Sequence, residues 1–330
     1  MIEQGLCSLG DHVADPTTGE RTPQAQRHAE ILHYLDMAEP LGFDVVVAGE
    51  HHFSDFIMSV PQMWLARIAG RTDRIRLATG VTLLPHHDPV RIAEDFATLD
   101  VLSDGRAEVW MGKGVEPTVY EHFGQAAEEA ADRQAEGLDL LTSLWTQRDL
   151  TWSGQFRSAL KGVTLEPRPI QTPHPPVYVS CSSPESTVVP ARLGLNLVMT
   201  GLAFDLDVLP DMVARYREVW AESGHAHEPR ITMLAHCHVG ATSQAAVEHL
   251  AKYQFEFQRW VFAKRMSTTP EAVQLPPRIE NLGEPDCVIA VGGVAEVTDK
   301  AAQLIELSGC DRFIIQSDYG GQPFSIVQEC

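Results

Sequence analysis

The sequence predicts an α/β fold, a closed (β/α)8 TIM barrel with insertions. Three observations point there. Short apolar runs alternate with longer amphipathic segments in roughly eight β-then-α units, the pattern of a parallel sheet with right-handed crossovers. The chain has 330 residues, and about eight such units over ~250–330 residues favour a closed barrel over an open sheet. No GxGxxG follows the first strand, which weakens the case for a dinucleotide-binding open sheet. No domain-sized linker interrupts the alternation, so 1–330 reads as one domain.

The elements follow in order. Residues 2–9 form a first strand, and 24–41 a helix closed at Leu41-Gly42, where glycine supplies the C-cap. Asp44–Gly49 (DVVVAG) is β-branched and apolar, the signature of a buried parallel strand. Residues 61–72 are helical, Ile75–Leu84 is a third strand, and Pro89–Leu102 is a helix with proline in its first turn. Arg106–Met111 is a fourth strand. The helix at 127–147 places Leu138, Leu141, Leu144 and Trp145 on one face.

An excursion at about 150–168 reads as a hairpin, and Pro167–Pro176 is loop with five prolines. The alternation resumes with strands Val177–Cys181, Leu195–Thr200 and Ile231–Val239 and helices Pro184–Leu193, 206–223 and 243–262. Residues 266–285 hold four prolines and read as a long irregular insertion, a candidate lid. Strand Val288–Val291, helix 295–308 and strand Arg312–Gln316 complete the chain, with a helical fragment after them.

Composition narrows the function classes. Hydrophobic residues make up 44% and charged residues 21%, which excludes a globally disordered or fibrous chain. Asp and Glu total 45 against 25 Lys and Arg, a net charge of -20. That balance argues against nucleic-acid and anionic-membrane partners, which need a basic footprint. No apolar run approaches the ~20 residues of a membrane span, and the first residues lack the pattern of a signal peptide. The six cysteines are scattered with no CxxC, as expected of reduced thiols in a cytoplasmic protein.

Barrel chemistry sits at the C-terminal strand ends. Strand two ends in Glu50-His51-His52-Phe53: two histidines and a carboxylate suit proton transfer or metal ligation, although either histidine could simply pack in the mouth. Strand three ends in Thr79-Gly80-Val81, where glycine allows close approach of a flat ligand or marks a bulge. His86 and His87 follow, as loop histidines or additional metal ligands. Strand four ends in Gly112-Lys113-Gly114, and lysine there either reaches a phosphate as a point charge or is solvated. The run Ser182-Ser183-Pro184-Glu185-Ser186-Thr187 is a helix start whose free amides and hydroxyls could cradle an anion or merely cap. His236 and His238 share a strand face as a weaker metal candidate. The tryptophans Trp64, Trp110 and Trp145 sit at core-like spacings.

Residues 41–56, with Leu41-Gly42-Phe43-Asp44 and Glu50-His51-His52-Phe53-Ser54-Asp55-Phe56, resemble the bacterial luciferase-like flavin monooxygenases, especially the luciferase alpha chain. The resemblance continues through Thr79-Gly80-Val81, Leu84-Pro85, Pro89-Val90-Arg91 and Gly105-Arg106. It returns at Pro176–Val179, Ser182–Thr187 and Gly309–Phe313 with Gln316. It implies a barrel that binds FMN. His51 matches the catalytic histidine. Thr79, Gly80 and Val81 match the stretch under the flavin ring, where the family carries a non-proline cis peptide. Ser182, Ser183, Ser186 and Thr187 match the phosphate cradle, and Glu50, His52, Phe53 and Gly112 fall around the substrate pocket.

Gly112 and Lys113 replace a reactive cysteine and a phosphate-binding arginine, the glycine enlarging the pocket, and Asp88 stands where the family often has histidine, altering the pocket rim. Loss of the thiol argues against light emission from an aldehyde. The implied activity is a two-component monooxygenase. Reduced FMN from a separate flavin reductase reacts with O2 to a C4a-peroxyflavin, which oxygenates a small organic substrate. The resemblance also implies a homodimer paired through helices two and three, and no resident metal. The alternatives are an F420-dependent oxidoreductase, a non-catalytic flavin-binding protein and, last, a metal-dependent hydrolase using His51, His236 and His238.

Overall fold

A computed structural model describes residues 2–203 and 205–330. Its strands are β1 (Glu3–Ser8), β2 (Val45–Ala48), β3 (Arg76–Thr79), β4 (Thr82–Leu83), β5 (Ala107–Gly112), β6 (Leu150–Trp152), β7 (Leu160–Val163), β8 (Val177–Cys181), β9 (Asn196–Thr200), β10 (Ile231–Val239), β11 (Ala290–Gly292) and β12 (Arg312–Asp318). Strands β1, β2, β3, β5, β8, β9, β10 and β12 pair in parallel around a closed ring, β12 returning to β1 with Glu3 opposite Arg312. This is the predicted eight-stranded barrel.

Among the described residues, eleven helices pack around and between the strands: α1 (Gln24–Asp36), α2 (Pro61–Ala69), α3 (Pro89–Leu102), α4 (Pro117–His122), α5 (Ala130–Thr146), α6 (Val188–Arg192), α7 (Val208–Ser223), α8 (Ser243–Met266), α9 (Pro277–Glu280), α10 (Val294–Ser308) and α11 (Phe324–Glu329). Local chemistry explains their ends. Asp88 caps α3 by accepting the Val90 amide at 2.9 Å, with Pro89 in the first turn. Thr242 caps α8 in the same way, and Gly309 ends α10 in the left-handed region.

Two layers of core hold the barrel. The outer layer packs helix stripes, among them Leu138, Leu141, Leu144 and Trp145 of α5, against the strands. The inner layer fills the barrel with Cys7, Val45, Val47, Ala78, Trp110, Tyr178, Val198, Leu234 and Ile314. Below it, Arg312 donates to Glu108 at 2.5 Å, both fully buried, and Arg76 and Glu3 complete the ionic floor. Burial alone would raise the Glu108 carboxyl; the guanidiniums of Arg312 and Arg76 overcome it and hold it at about 2. The floor seals the N-terminal end, so a ligand enters from the other.

Four expectations change. The third strand is interrupted at the cis peptide Gly80–Val81 and resumes as β4 against β5. The strand expected at 288–291 lies outside the ring, since β11 pairs only with the end of β10. Helix α1 ends at Asp36, and the chain reaches Gly42 through a turn. Asp88 is no part of a pocket rim: besides capping α3 it binds Arg157 of the hairpin excursion at 2.9 Å. The hairpin itself forms as expected from β6 and β7. The 266–285 segment carries a short turn and α9, pinned by buried Val273, Leu275 and Ile279. No helix among the described residues is long and apolar enough to cross a membrane. All six cysteines are free thiols.

Candidate active site

The strand ends converge on one cavity of about 340 Å³. Glu50, His51 and His52 after β2, Gly80 and Val81 after β3, Gly112 and Lys113 at β5, and Ser182 after β8 all line it. These eight come from the ends of four strands that neighbour one another in the ring, β2, β3, β5 and β8.

His51 faces the cavity with its imidazole stacked on Phe56, centroids 3.8 Å apart and planes within 12°. Its side chain makes no hydrogen bond among the described residues. Burial, with the positive charge of Arg265, pushes it down to about 4 against the pull of Glu50. It is therefore neutral near pH 7, with a lone pair available to accept a proton.

Glu50 is buried and accepts from His52 Nε2 at 2.8 Å, His87 Nε2 at 2.6 Å and the Leu83 amide at 3.3 Å. Burial would raise its carboxyl, but these hydrogen bonds hold it at about 2. Among the described residues, Glu50, His52 and His87 are the one set with metal-ligand proximity. Both carboxylate oxygens are already engaged, so the set is complete as a hydrogen-bonded array. His236 and His238 join no such set: His236 stacks on Tyr319 at 3.9 Å and meets Gln254, and His238 stacks on His249.

The glycines are space requirements. A Cβ on Gly80 would overlap Val47, and one on Gly112 would overlap Val81 Cγ2. The site therefore presents bare backbone at the cis peptide, flanked by apolar Val81. The expectation that Gly112 enlarges the pocket is corrected: Val81 already occupies the space that a side chain would take.

Other expected residues stand back from the cavity. Thr79 is fully buried, its hydroxyl donating to the Trp110 carbonyl at 3.0 Å. Phe53 is 64% exposed and packs against His122 and Phe123. Ser186 Oγ accepts the amides of Ser182 and Ser183 at 3.2 and 3.1 Å, and Thr187 donates to the Pro184 carbonyl at 2.7 Å. The serine turn thus holds two neighbouring amides in one direction, and only Ser182 lines the cavity.

Several lining residues escaped the sequence reading. Trp110, read as core, forms part of the cavity wall, its indole N–H donating to Glu108 at 3.2 Å. Gln258 of α8 and Gln316 of β12 line the cavity with amide atoms buried and unpartnered among the described residues. Lys264 and Arg265 end α8 at the same cavity. Buried unpaired amides are costly, so they mark the wall where a ligand's polar edge fits.

Comparison with known proteins agrees with this geometry. The family model described as luciferase-like monooxygenase matches residues 2–311. The chain is 26% identical over 247 residues to the flavin-dependent trigonelline monooxygenase, oxygenase component, of Acinetobacter baylyi, covering 73% of this chain and 68% of that protein. Among solved structures, monooxygenase RslO1 from Streptomyces bottropensis has a TM-score of 0.85 at 24% identity, covering 99% and 96% of the two chains. The oxygenating constituent of 3,6-diketocamphane monooxygenase from Pseudomonas putida, solved with FMN, has a TM-score of 0.77 at 20% identity and covers 99% and 96%. An F420-dependent secondary alcohol dehydrogenase reaches 0.75 at 17%, covering 99% and 97%. These structural likenesses establish the barrel.

Proposed function

Because the chain belongs to the luciferase-like monooxygenase family, we propose that it is the FMN-dependent oxygenase of a two-component system, oxygenating a small organic substrate with reduced flavin from a separate reductase. The observation that carries this reading is the convergence of His51, the Gly80–Val81 peptide, Lys113 and Ser182 on one cavity. A relative named as an oxygenase component supports the partner.

The residues fit the cofactor. Bare backbone at Gly80 and apolar Val81 offer a flat ring a close support. Lys113 offers positive charge and the Ser182 hydroxyl a donor to its phosphate, with Ser183, Ser186 and Thr187 shaping that turn. Unpartnered Gln316 offers both a donor and an acceptor to a polar ring edge. When bound, reduced flavin supplies the activation of O2. The chain's own work is then positional and acid–base. His51, neutral and half-buried, receives or holds a proton beside the ring. Val81, Leu83, Trp110, Val198 and Leu234 exclude water from it. Glu50 keeps His52 and the 83–87 loop in place. We also infer a homodimer, supported by exposed Met63 on α2 and exposed Leu102 on α3, at 72% and 64%.

The test is titration of the chain with FMN and with F420, then mixing of the reduced complex with O2 and candidate substrates. Tighter FMN binding and an oxygenated product support the reading. Preference for F420 transfers the protein to hydride chemistry, and hydrogen peroxide as the sole product leaves a flavin carrier.

A further inference from the structure

The cavity carries more positive charge than one phosphate needs. Lys113, Lys264 and Arg265 all line it, and none makes an ion pair among the described residues. This is unusual in a chain with 25 cationic and 45 acidic residues, where most arginines pair: Arg312, Arg76, Arg27, Arg67 and Arg157 all hold carboxylates.

The three cations lie at two poles. Lys113 ends β5, next to β8 and its Ser182 turn. Arg265 sits on the His51 side, where its charge acts on the His51 ring; Trp260, five residues earlier on α8, packs on Phe56 at 5.1 Å, and Phe56 stacks on His51. Helix spacing puts Phe257, Val261 and then Lys264 and Arg265 on one face of α8, and that face lines the cavity. It is apolar inward and cationic at the rim. Glu116 shares the rim and is within ion-pair distance of neither cation; burial pushes its carboxyl up while the charges of Lys264 and Arg265 pull it down. Glu50 is spent on His52 and His87.

We propose that the substrate is a carboxylate with an apolar body, its carboxylate held by Arg265 and Lys264 and its body lying along Phe257 and Val261 toward His51. This deepens the flavin reading and rests on it, since Lys113 is thereby assigned to the flavin phosphate. The planar guanidinium suits a carboxylate bidentately, and lysine adds a point charge. An exposed cation pair on an otherwise acidic surface also draws an anion to the mouth.

The test uses the FMN-loaded chain and matched pairs differing only in charge: benzoate and benzamide, phenylacetate and phenylacetamide, octanoate and octanamide. Calorimetric titration is expected to show at least one acid binding about tenfold more tightly than its amide. Arg265→Ala is expected to erase that preference and Arg265→Lys to retain part of it, FMN affinity staying at the wild-type value. Lys113→Ala is expected to do the reverse, weakening FMN. Equal binding of acid and amide in every pair, or no binding of either, overturns the inference. So does a preference that survives in the Lys264→Ala, Arg265→Ala double variant, or a loss of FMN rather than carboxylate in Arg265→Ala. Failure of wild type to bind FMN at the outset is a separate result and removes the flavin reading itself.

Discussion

The imidazole of His51 lies face to face on the ring of Phe56, 3.8 Å between centroids. The stack fixes the ring plane while leaving both nitrogens without a hydrogen-bond partner among the described residues. A histidine so placed can move a proton without first breaking a protein contact. His51→Ala is expected to lower product formation by about 10²–10⁴-fold, the range for removal of a positioned acid–base group. FMN affinity should change far less. Unchanged turnover in that variant would remove His51 from the chemistry.

The same histidine sets a pH limb. Burial and Arg265 hold it at about 4, so the neutral form persists through the mildly acidic range. Turnover that needs the neutral ring is expected to fall only as pH drops toward 4, not near 6.5. A pH profile of single-turnover oxygenation reads this directly. In Arg265→Ala the limb should move upward, since one repelling charge is gone.

Stability responds to acid by a related route. Burial pushes His236 down to about 4, while the unfolded ring titrates near its ordinary 6.5. Between those values the unfolded chain binds the extra proton, so stability falls as pH is lowered from 6.5 to 4. Urea unfolding midpoints across that range should show a shallower pH slope in His236→Gln than in wild type. An identical slope would mean that His236 does not contribute.

Gly112 and Val81 form a coupled pair, because a Cβ on the first would overlap Cγ2 of the second. Gly112→Ala is expected to cost about 1–3 kcal/mol, the usual penalty of overpacking. Val81→Ala opens the space, so the double variant should be more stable than the sum of the single effects predicts. Strict additivity in chemical denaturation would contradict the pairing. A thiol at 112 would meet the same overlap, so Gly112→Cys alone should not restore a family-like pocket.

How much of this was legible depended on sequence distance. The barrel and the 50–53, 79–81 and 112–113 ends were readable because strand alternation and strand termini are local signals. Gln258, Lys264 and Arg265 were not. They belong to a helix whose cavity-facing side shows only when the helix is laid over the barrel mouth. Trp110 has a core-like pattern in the sequence because an apolar strand residue near the mouth and one below it look the same. The 288–291 run looked like a barrel strand because β propensity does not say which edge a strand joins. Helix α4, six residues long, was too short for any periodic signal.

Glu50 tests whether the array beside His51 is held by charge. Its carboxylate takes two imidazole N–H groups on one oxygen and the Leu83 amide on the other. In Glu50→Gln, one oxygen can still serve the histidines, but the amide nitrogen then faces the Leu83 N–H, donor against donor. A loss of about 1–3 kcal/mol is expected at pH 7, the cost of an unmet buried donor. The carboxyl is held at about 2 in the folded chain against an ordinary 4.5. Its contribution is thus present above 4.5 and lost as pH falls toward 2. The gap between wild type and Glu50→Gln should therefore narrow from pH 5 to pH 2.5 in urea unfolding. A gap that stays constant would show that shape, not charge, holds the 83–87 loop over the cavity.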